Sequence, residues 1–451
     1  MSSQPIITTI DSLSHEGRGI TTLEGKTTFV DGALPGETVT IKITHKHRRY
    51  NEATIINVLK SAADRVNPVC AHASICGGCS MQHLTMAAQI DHKTRIVKEH
   101  LHHFGKVSPE TWLPTLTGQP IGYRRKARLG VRYVHKKEKL LIGFREKSSR
   151  YLADIAECSV LDPRVGTQLK ALAHLIQQLS CYTEIPQIEV ACSDDQVALV
   201  FRHLASLNDN DLALLKNFGE THYMQIWLQP NAPAPLQKIW PNDNTPFLSY
   251  FLPDYQLEMR FHPLDFTQVN HEINPRMIQQ AITLLDLQPE HRVLDLFCGL
   301  GNFTLPIARL AGHVTGIEGS DEMVKRASEN AAFNQLNNTQ FYAANLMSPN
   351  EHASWLKQKY DSILLDPPRS GAKEILPFIA QCDAERIVYV SCNPATFARD
   401  AGELVHQYGY QLIDIGLINM FPHTAHIEVI ALFVKRGKRH GHHQTKISAT
   451  P

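Results

Sequence analysis

The sequence predicts a multidomain protein with a small N-terminal β-barrel, a central α+β domain and a C-terminal α/β domain with a doubly wound parallel sheet. The first part of the chain has short β-branched segments separated by Gly and Pro turns, which is typical of a small barrel. The last part alternates helical segments with apolar strands that end in polar residues, which is typical of a parallel sheet. We place the boundaries at 1–62, 63–264 and 265–436, followed by a disordered basic tail at 437–451.

The composition excludes several classes of protein. Hydrophobic residues make up 43% of the 451-residue chain and charged residues 20%, as in ordinary globular proteins. No apolar run approaches the roughly 20 residues of a membrane-spanning helix, and the first residues lack a signal-peptide pattern. We therefore expect a cytoplasmic monomer with no membrane contact and no obligate protein partner. The odd count of nine cysteines favours metal binding or catalysis over a disulfide framework.

The net charge of +1 conceals a strong asymmetry along the chain. Residues 92–150 contain 15 Lys and Arg against 4 Asp and Glu, whereas residues 151–274 contain 6 against 15. A basic block of this size predicts a polyanionic partner on one face of the protein. A solvated surface is the alternative that charge alone leaves open.

The predicted barrel contains strand segments at 5–10, 38–43 and 52–59. The segment 42–50, which joins the last two, is basic and ends in Tyr50. Basic residues beside an aromatic ring on a small barrel favour an RNA-binding surface, although a solvated hairpin explains them equally well.

The central domain has two predicted features that matter for binding. Apolar residues at helical spacing predict a helix over 86–104. Segments 122–133 and 140–145 predict a strand pair in which arginines alternate with apolar residues. This alternation predicts a row of guanidinium groups on one sheet face, with Tyr123 and Tyr133 between them.

A four-sulfur set is formed by Cys70-x5-Cys76-x2-Cys79 and the distant Cys158. A structural zinc usually has two paired cysteine motifs, whereas here the fourth cysteine stands alone, as is common for iron–sulfur clusters. The spacing therefore favours a [4Fe–4S] cluster. Zinc and unligated thiols are the alternatives.

A nucleoside-binding turn is predicted at Asp295–Phe303. A strand leads into a Gly-rich turn and then a helix, and Gly299 and Gly301 allow the backbone to approach a ligand. Glu318, nineteen residues after Gly299, ends the next strand, where a carboxylate can bind both ribose hydroxyls. The motif lacks the third glycine of dinucleotide-binding enzymes and looks like the turn of S-adenosylmethionine-dependent methyltransferases. A tight turn around a core cysteine is the alternative.

Three further motifs follow or lie in apolar strands: Asp366-Pro-Pro-Arg369, Ser391-Cys392-Asn-Pro, and Glu428. Arg369 replaces the aromatic residue of adenine-N6 methylases and the second cysteine of RNA cytosine-5 methylases, which favours uracil. Cys392 ends a strand where open α/β sheets carry their chemistry, although a lone cysteine is often inert. Glu428 is costly in an apolar strand unless it is catalytic or salt-bridged.

These residues fit methylation of uracil at C5. A thiolate that adds to C6 raises the electron density at C5, which then accepts a methyl group. A base must remove the C5 proton before the thiol can leave. Cys392 is the predicted nucleophile and Glu428 the predicted base, while Asp366 holds the uracil edge or orients the methyl donor. The target base must leave its stack to reach such a pocket.

Together the motifs resemble the RNA uracil-5-methyltransferase family, and within it the branch that acts on 23S ribosomal RNA. The resemblance covers nearly the whole chain and implies an OB-like TRAM barrel, a [4Fe–4S] cluster on the four cysteines and a Rossmann-like methyltransferase domain, with part of 86–120 packed on it. It implies that S-adenosylmethionine contacts Gln268, Phe297, Asn302, Glu318, Asn345 and Asp366.

The substrate is less strongly indicated than the chemistry. The transfer-RNA branch of the family is similar in its catalytic half but lacks the barrel and the four-cysteine set, so 23S ribosomal RNA is the expected partner. A transfer-RNA uracil-5-methyltransferase, a non-catalytic RNA-binding iron–sulfur protein and a cytosine or adenine methyltransferase are the alternatives.

Overall fold

The computed structural model describes residues 4–230, 235–243 and 245–437. The expected tail therefore lies outside the described residues, apart from Gly437. No helix in the described part is long and apolar enough to cross a membrane. All nine cysteines are free thiols.

The N-terminal domain is a six-stranded sheet. Its strands are β1 (Ile6–Thr9), β2 (Ser12–Leu13), β3 (Gly19–Leu23), β4 (Lys26–Asp31), β5 (Thr38–Lys46) and β6 (Tyr50–Lys60). They lie in the order β1-β5-β6-β4-β3-β2. Alternate residues of β5 point inward, so that Val39 and Ile41 pack with Ile10, Val30 and Ala53 in a small core. The basic connection between β5 and β6 is exposed.

The segment after the first three cysteines begins with a helix that packs on the C-terminal domain. Helix α1 (Met86–His100) starts at Thr85, whose hydroxyl accepts a hydrogen bond from the third amide of the helix. It continues into one π-helical turn, Leu101–Gly105. The short strand β7 (Thr111–Trp112) then adds to the edge of the C-terminal sheet.

The central domain is a second six-stranded sheet with helices packed on it. Its elements are β8 (Lys126–Val134), β9 (Lys139–Gly143), α2 (Pro163–Gly166), α3 (Leu169–Gln178), β10 (Gln187–Cys192), β11 (Val197–His203), α4 (Asp209–His222), β12 (Met224–Pro230) and β13 (Gln237–Trp240). The strand order is β13-β12-β11-β10-β8-β9, so the basic hairpin β8–β9 forms one edge.

The basic hairpin differs from the sequence prediction at one aromatic residue. Arg128 and Arg132 are exposed on one face of β8, as alternation predicts. Tyr123, however, is buried, and its hydroxyl donates a hydrogen bond to the carbonyl of Pro422 at 3.1 Å. The prediction for Tyr123 is wrong because strand alternation begins only three residues later.

The C-terminal domain is an eight-stranded sheet preceded by a hairpin and a helix. Its elements after β7 are β14 (Leu248–Leu252), β15 (Leu257–Phe261), α5 (Ile273–Leu285), β16 (Arg292–Leu296), α6 (Thr304–Ala308), β17 (His313–Glu318), α7 (Asp321–Phe333), β18 (Thr339–Ala343), β19 (Ser362–Leu365), α8 (Leu376–Gln381), β20 (Arg386–Ser391), α9 (Pro394–His406), β21 (Tyr410–Ile418) and β22 (Glu428–Lys435).

The order of this sheet is β18-β17-β16-β19-β20-β22-β21-β7. The first five strands are parallel, and β22 is antiparallel to both of its neighbours. Apolar clusters cover both faces of the sheet. The arrangement confirms the predicted α/β architecture and places the carboxyl ends of the five parallel strands along one edge.

Candidate active site

Five of the predicted site residues lie along this edge of the C-terminal sheet. Each ends or follows one of the adjacent parallel strands β18, β17, β16, β19 and β20. In that order, the residues are Asn345, Glu318, Phe297, Asp366 and Cys392. Ligands of open α/β sheets bind outside this edge, so residues far apart in the sequence are placed to act on one ligand.

The turn after β16 is shaped by residues with positive φ. The φ angles are 66° at Phe297, 55° at Gly299 and 95° at Gly301. A Cβ at Gly301 would lie 2.4 Å from the Leu305 side chain, so both packing and conformation require glycine there. Glu318 accepts hydrogen bonds from the Gly299 amide at 3.1 Å and from the two amides that follow Glu318, which fixes its carboxylate beside the turn.

Asn302 connects the Gly-rich turn to two preceding elements. Its Oδ1 accepts hydrogen bonds from the Tyr250 hydroxyl at 2.8 Å and from Asn274 Nδ2 at 3.0 Å. Its Nδ2 donates to Asn274 Oδ1 at 2.9 Å. Gln268 lines a pocket together with Tyr250 and Asn274. The pocket that Gln268 lines is therefore bounded by the two side chains that hydrogen-bond Asn302, neither of which the sequence indicated.

The other two residues expected at the methyl donor have different environments. Asn345 is exposed, and its Oδ1 accepts a hydrogen bond from the Met347 amide at 3.0 Å. Asp366 is half-buried, and desolvation raises the pKa of its carboxyl to about 7.

Cys392 and Glu428 lie side by side. Strands β20 and β22 are antiparallel, with Ser391 opposite Val429. Cys392 and Glu428 therefore occupy the next pair of positions, although 36 residues separate them in the sequence. Glu428 is buried and Cys392 is partly exposed. The nucleophile and the base predicted from sequence thus share one corner of the sheet.

The protonation of both groups is altered by this corner. Burial, with a smaller contribution from the neighbouring Asp366, raises the pKa of Glu428 to about 8, while Lys93 acts in the opposite direction. Burial also raises the pKa of the Cys392 thiol to about 11, with Glu428 and Asp366 adding to the increase and Arg369 opposing it. In the ligand-free protein the thiol is therefore protonated at neutral pH, and Arg369 is the neighbouring cation that favours the thiolate.

Cys392 opens into a cleft of about 770 Å³ that several parts of the chain line together. The N-terminal domain, the cysteine segment (residues 70–81), the π-helical turn, the loop after β19 and the loop between β21 and β22 contribute His15, Glu16, Gly77, Ser80, Phe104, Arg369 and His426. Arg369 Nη2 lies 3.0 Å from His426 Nδ1. The mixed lining, contributed by several separate parts of the chain, suits a folded RNA segment better than a small substrate.

Phe104 is an exposed aromatic residue on the wall of this cleft. Its side chain is 61% exposed, and its ring lies 5.2 Å from that of His100. The turn that carries it is tightly packed, because a Cβ at Gly105 would lie 2.5 Å from the carbonyl oxygen of Ala398 in α9. The ring is therefore presented to solvent from a firmly held backbone.

The loop 419–427, which joins β21 to β22, leads directly to Glu428. Lys93 of α1 is fully buried beneath it. Its Nζ donates hydrogen bonds to Asn419 Oδ1 at 2.9 Å and to the Phe421 carbonyl at 3.0 Å. Helix α1 thus holds the start of the loop that positions the predicted base.

The cysteine segment holds the same loop from another side. The Met81 amide donates to the His423 carbonyl at 2.9 Å, and the Ala425 amide donates to Ser80 Oγ at 3.2 Å. Gln89 of α1 accepts a hydrogen bond from the His423 amide at 2.9 Å. The segment beside the cysteines is therefore in direct contact with the approach to Glu428.

The four cysteines expected to bind a cluster line one common pocket. Cys79 is buried, and burial raises the pKa of its thiol to about 11. The other three, Cys70, Cys76 and Cys158, are half-buried. Within residues 4–230, 235–243 and 245–437, no group of three or more His, Cys, Asp and Glu side chains is arranged to hold a metal ion.

Three of the residues around the site were not predicted from the sequence, and for one of them the sequence pattern contains an indication of its role. Lys93 lies on the same helical face as the buried Ile96 and Val97, where a lysine is unexpected. Tyr250 and Asn274 left no comparable signal, because their roles depend on the contact between the hairpin, α5 and the Gly-rich turn.

Comparisons with known proteins agree with this geometry. Residues 85–436 match the model of the tRNA (Uracil-5-)-methyltransferase family, and residues 8–56 match the TRAM domain. A 23S rRNA (uracil(1939)-C(5))-methyltransferase RlmD from Hahella chejuensis is 52% identical over 431 residues, covering 94% of this chain and 96% of the relative. Its namesake from Acidithiobacillus ferrooxidans is 51% identical, covering 96% and 98%.

A solved structure shares the fold of nearly the entire chain. It is the tRNA (uracil-54, C5)-methyltransferase of Pyrococcus abyssi in complex with S-adenosyl-L-homocysteine. The TM-score is 0.72 at 21% identity, and the match covers 95% of this chain and all of the other. The likeness shows a common fold for the catalytic sheet and the domains around it.

Proposed function

Since the chain belongs to the tRNA (uracil-5-)-methyltransferase family, we propose that it methylates C5 of a uridine in 23S ribosomal RNA, with S-adenosylmethionine as methyl donor. The observation that carries the proposal is the placement of Cys392 beside Glu428, at one end of a row of strand-end residues. Relatives about half identical to the chain are named for position 1939, so we place the target at the corresponding uridine.

The chemistry follows from what the two residues can do to uracil. The sulfur of Cys392 bonds to C6 while its thiol proton passes to solvent, and the ring electrons move onto the C4 carbonyl as an enolate. C5 then takes the methyl group, whose bond to the donor sulfur breaks. The Glu428 carboxylate removes the C5 proton, the C5–C6 double bond forms again, and Cys392 leaves as a thiolate.

The strand-end residues suit a nucleoside donor. The Glu318 carboxylate, fixed by the Gly299 amide, is placed to accept hydrogen bonds from ribose hydroxyls. Phe297 contributes an aromatic side chain at the turn, and Asn302 and Gln268 lie on the side of the hairpin β14–β15. Asp366 lies between the donor row and Cys392 in the sheet order. We assign Asn345, at the far end of the row, to the same ligand.

The cleft beside Cys392 is the proposed RNA-binding surface. Phe104 on the cleft wall provides a stacking ring, while the TRAM sheet and the exposed Arg128 and Arg132 of the basic hairpin, which do not line the cleft, extend the proposed surface. Such groups bind unpaired nucleotides through phosphates and base faces. Arg369 at the cleft favours the Cys392 thiolate when the uracil is in place.

We further propose that Cys70, Cys76, Cys79 and Cys158 hold a [4Fe–4S] cluster. Their thiols face one cavity, and soft thiolate ligands suit iron–sulfur clusters. A cluster of four irons and four sulfides is larger than one ion, so its ligands must surround a cavity rather than meet at a point. The cluster supplies no electron to uracil methylation, and the four residues would join the cysteine segment to the central sheet.

The decisive experiment is adduct formation on RNA that contains 5-fluorouridine. Fluorine at C5 cannot be removed as a proton, so the enzyme should remain covalently attached to the RNA on a denaturing gel. Cys392→Ala should give no adduct while it still binds S-adenosylhomocysteine. Cys382→Ala, which changes a buried cysteine elsewhere in the same domain, is the control and should react like the parent protein.

The substrate is tested with natural RNA. Unmethylated 23S ribosomal RNA should gain one 5-methyluridine at the position corresponding to 1939, as mass spectrometry of RNase fragments would show. Methylation of transfer RNA in its place would assign the chain to the transfer-RNA branch. RNA binding without adduct or methylation would support a non-catalytic RNA-binding protein, and a modified cytosine or adenine would replace uracil as the substrate.

A further inference from the structure

Lys93 is a buried cation beside the proposed catalytic base. Its side chain has no exposed surface, and the two acceptors of its Nζ, the Asn419 amide and the Phe421 carbonyl, are neutral. Burying an ammonium group without a paired acid is costly, so such lysines are found where the charge has a use. A helix that only needed to pack against the loop could do so with an apolar residue.

The contacts of Lys93 place its charge near Glu428. In the pairing of β21 with β22, Ile418 lies opposite Glu428, and Asn419 is the next residue. The Nζ of Lys93 is therefore anchored to the residue that follows the cross-strand partner of Glu428. The other titratable or charged groups that face Glu428, Lys93 or their immediate neighbours are His92, Arg124, Asp366, Arg369, Cys392, His423 and His426.

We propose that Lys93 is a positioning residue for Glu428. Lys93 fixes the start of the 419–427 loop, and its positive charge keeps the Glu428 carboxylate ionised for proton removal. The inference rests on the proposed function. In the step concerned, the carboxylate takes the C5 proton, the electrons of that C–H bond form the C5–C6 double bond, and the electrons of the C6–S bond return to Cys392.

The electrostatics of the site agree with the geometry. Burial and Asp366 raise the pKa of Glu428, and Lys93 is the neighbouring group that lowers it. Burial lowers the pKa of Lys93, and Glu428 acts in the opposite direction. Each ion therefore stabilises the charged form of the other, as in a coupled pair.

The test measures proton removal as a function of pH. RNA labelled with tritium at C5 of uridine releases tritium when the base removes the C5 proton. The fraction of protein attached to RNA on a denaturing gel measures the covalent adduct that has not yet lost this proton. Lys93→Met and Lys93→Gln both remove the charge, and glutamine keeps an N–H donor for the loop. A neutral side chain in this buried position should allow folding, which the melting temperature checks.

We expect the neutral variants to release tritium up to about tenfold more slowly than the parent protein at pH 7.5, with the adduct accumulating. Since a base acts only above its pKa, the pH at which release reaches half its maximum should rise by about one unit, and the rate should recover at higher pH. The KM for RNA should not change. Lys93→Arg, which keeps a permanent charge, should not show the alkaline shift.

Asn419→Ala is the matched control, because it removes an acceptor of Lys93 and leaves the charge in place. A parent-like pH profile in both neutral variants would overturn the inference. A loss of rate that is the same at every pH, and the same in Asn419→Ala as in the neutral variants, would also overturn it. If the parent protein itself releases no tritium, the proposed function fails first, so the two failures are distinguishable.

Discussion

Tyr250→Phe tests whether the hydrogen-bond network around Asn302 supports the donor site. The Tyr250 hydroxyl donates to Asn302 Oδ1 at 2.8 Å, and the change removes this bond without altering the ring. Asn274 continues to donate to the same oxygen at 3.0 Å, so no buried acceptor is left unpaired. The expected cost is therefore that of one neutral hydrogen bond, about 1 kcal/mol, which corresponds to about fivefold weaker donor binding.

Isothermal titration with S-adenosylhomocysteine measures this loss directly. Tyr255→Phe is the matched control, because Tyr255 lies at the tip of the same β14–β15 hairpin and, among the described residues, it accepts a hydrogen bond from Arg309 through its backbone carbonyl and not through its hydroxyl. An unchanged affinity in Tyr250→Phe would show that the hydrogen bond to Asn302 does not contribute to donor binding. A loss of a hundredfold or more would also refute the reasoning, since it would show that the hydroxyl orders more than one asparagine.

Three further outcomes are expected. Protein purified without oxygen should be brown with about four irons, and Cys76→Ser should bleach it and weaken RNA binding more than donor binding. Phe104→Ala should raise the KM for RNA about tenfold and leave donor binding unchanged, because a stacked base contributes about 1–3 kcal/mol. Arg369→Met should slow iodoacetamide labelling of Cys392 at pH 8, measured by peptide mass spectrometry, because removing the cation raises the pKa of that thiol.

The sheet and its chemistry could be predicted from the sequence because both depend on local patterns. Apolar strands that end in polar residues place Glu318, Asp366 and Cys392 at strand ends, and a parallel sheet brings those ends to one edge. The adjacency of Cys392 and Glu428 could not be predicted from such patterns alone, because it depends on β22 lying antiparallel between β20 and β21. No spacing in the sequence specifies that order.

Side-chain networks between distant segments could not be predicted. Tyr123 was expected on an exposed sheet face but is buried, with its hydroxyl bonded to Pro422 about three hundred residues away. Lys93 and Asn419 meet only because α1 packs on the C-terminal domain rather than on the central one. Such contacts follow from tertiary packing, which the periodicity of a single segment does not contain.

The contacts of the cysteine segment extend the role expected for it. Its place before the basic hairpin predicts a larger effect on RNA binding than on donor binding. In the structure, Ser80 and Met81, directly after Cys79, hydrogen-bond the loop that leads to Glu428. On the other side, the Gly77 amide donates to the Arg145 carbonyl at 2.8 Å, just beyond the basic hairpin. A group that orders the four cysteines would therefore stabilise the RNA surface and the approach to the base through one short segment, without taking part in the chemistry.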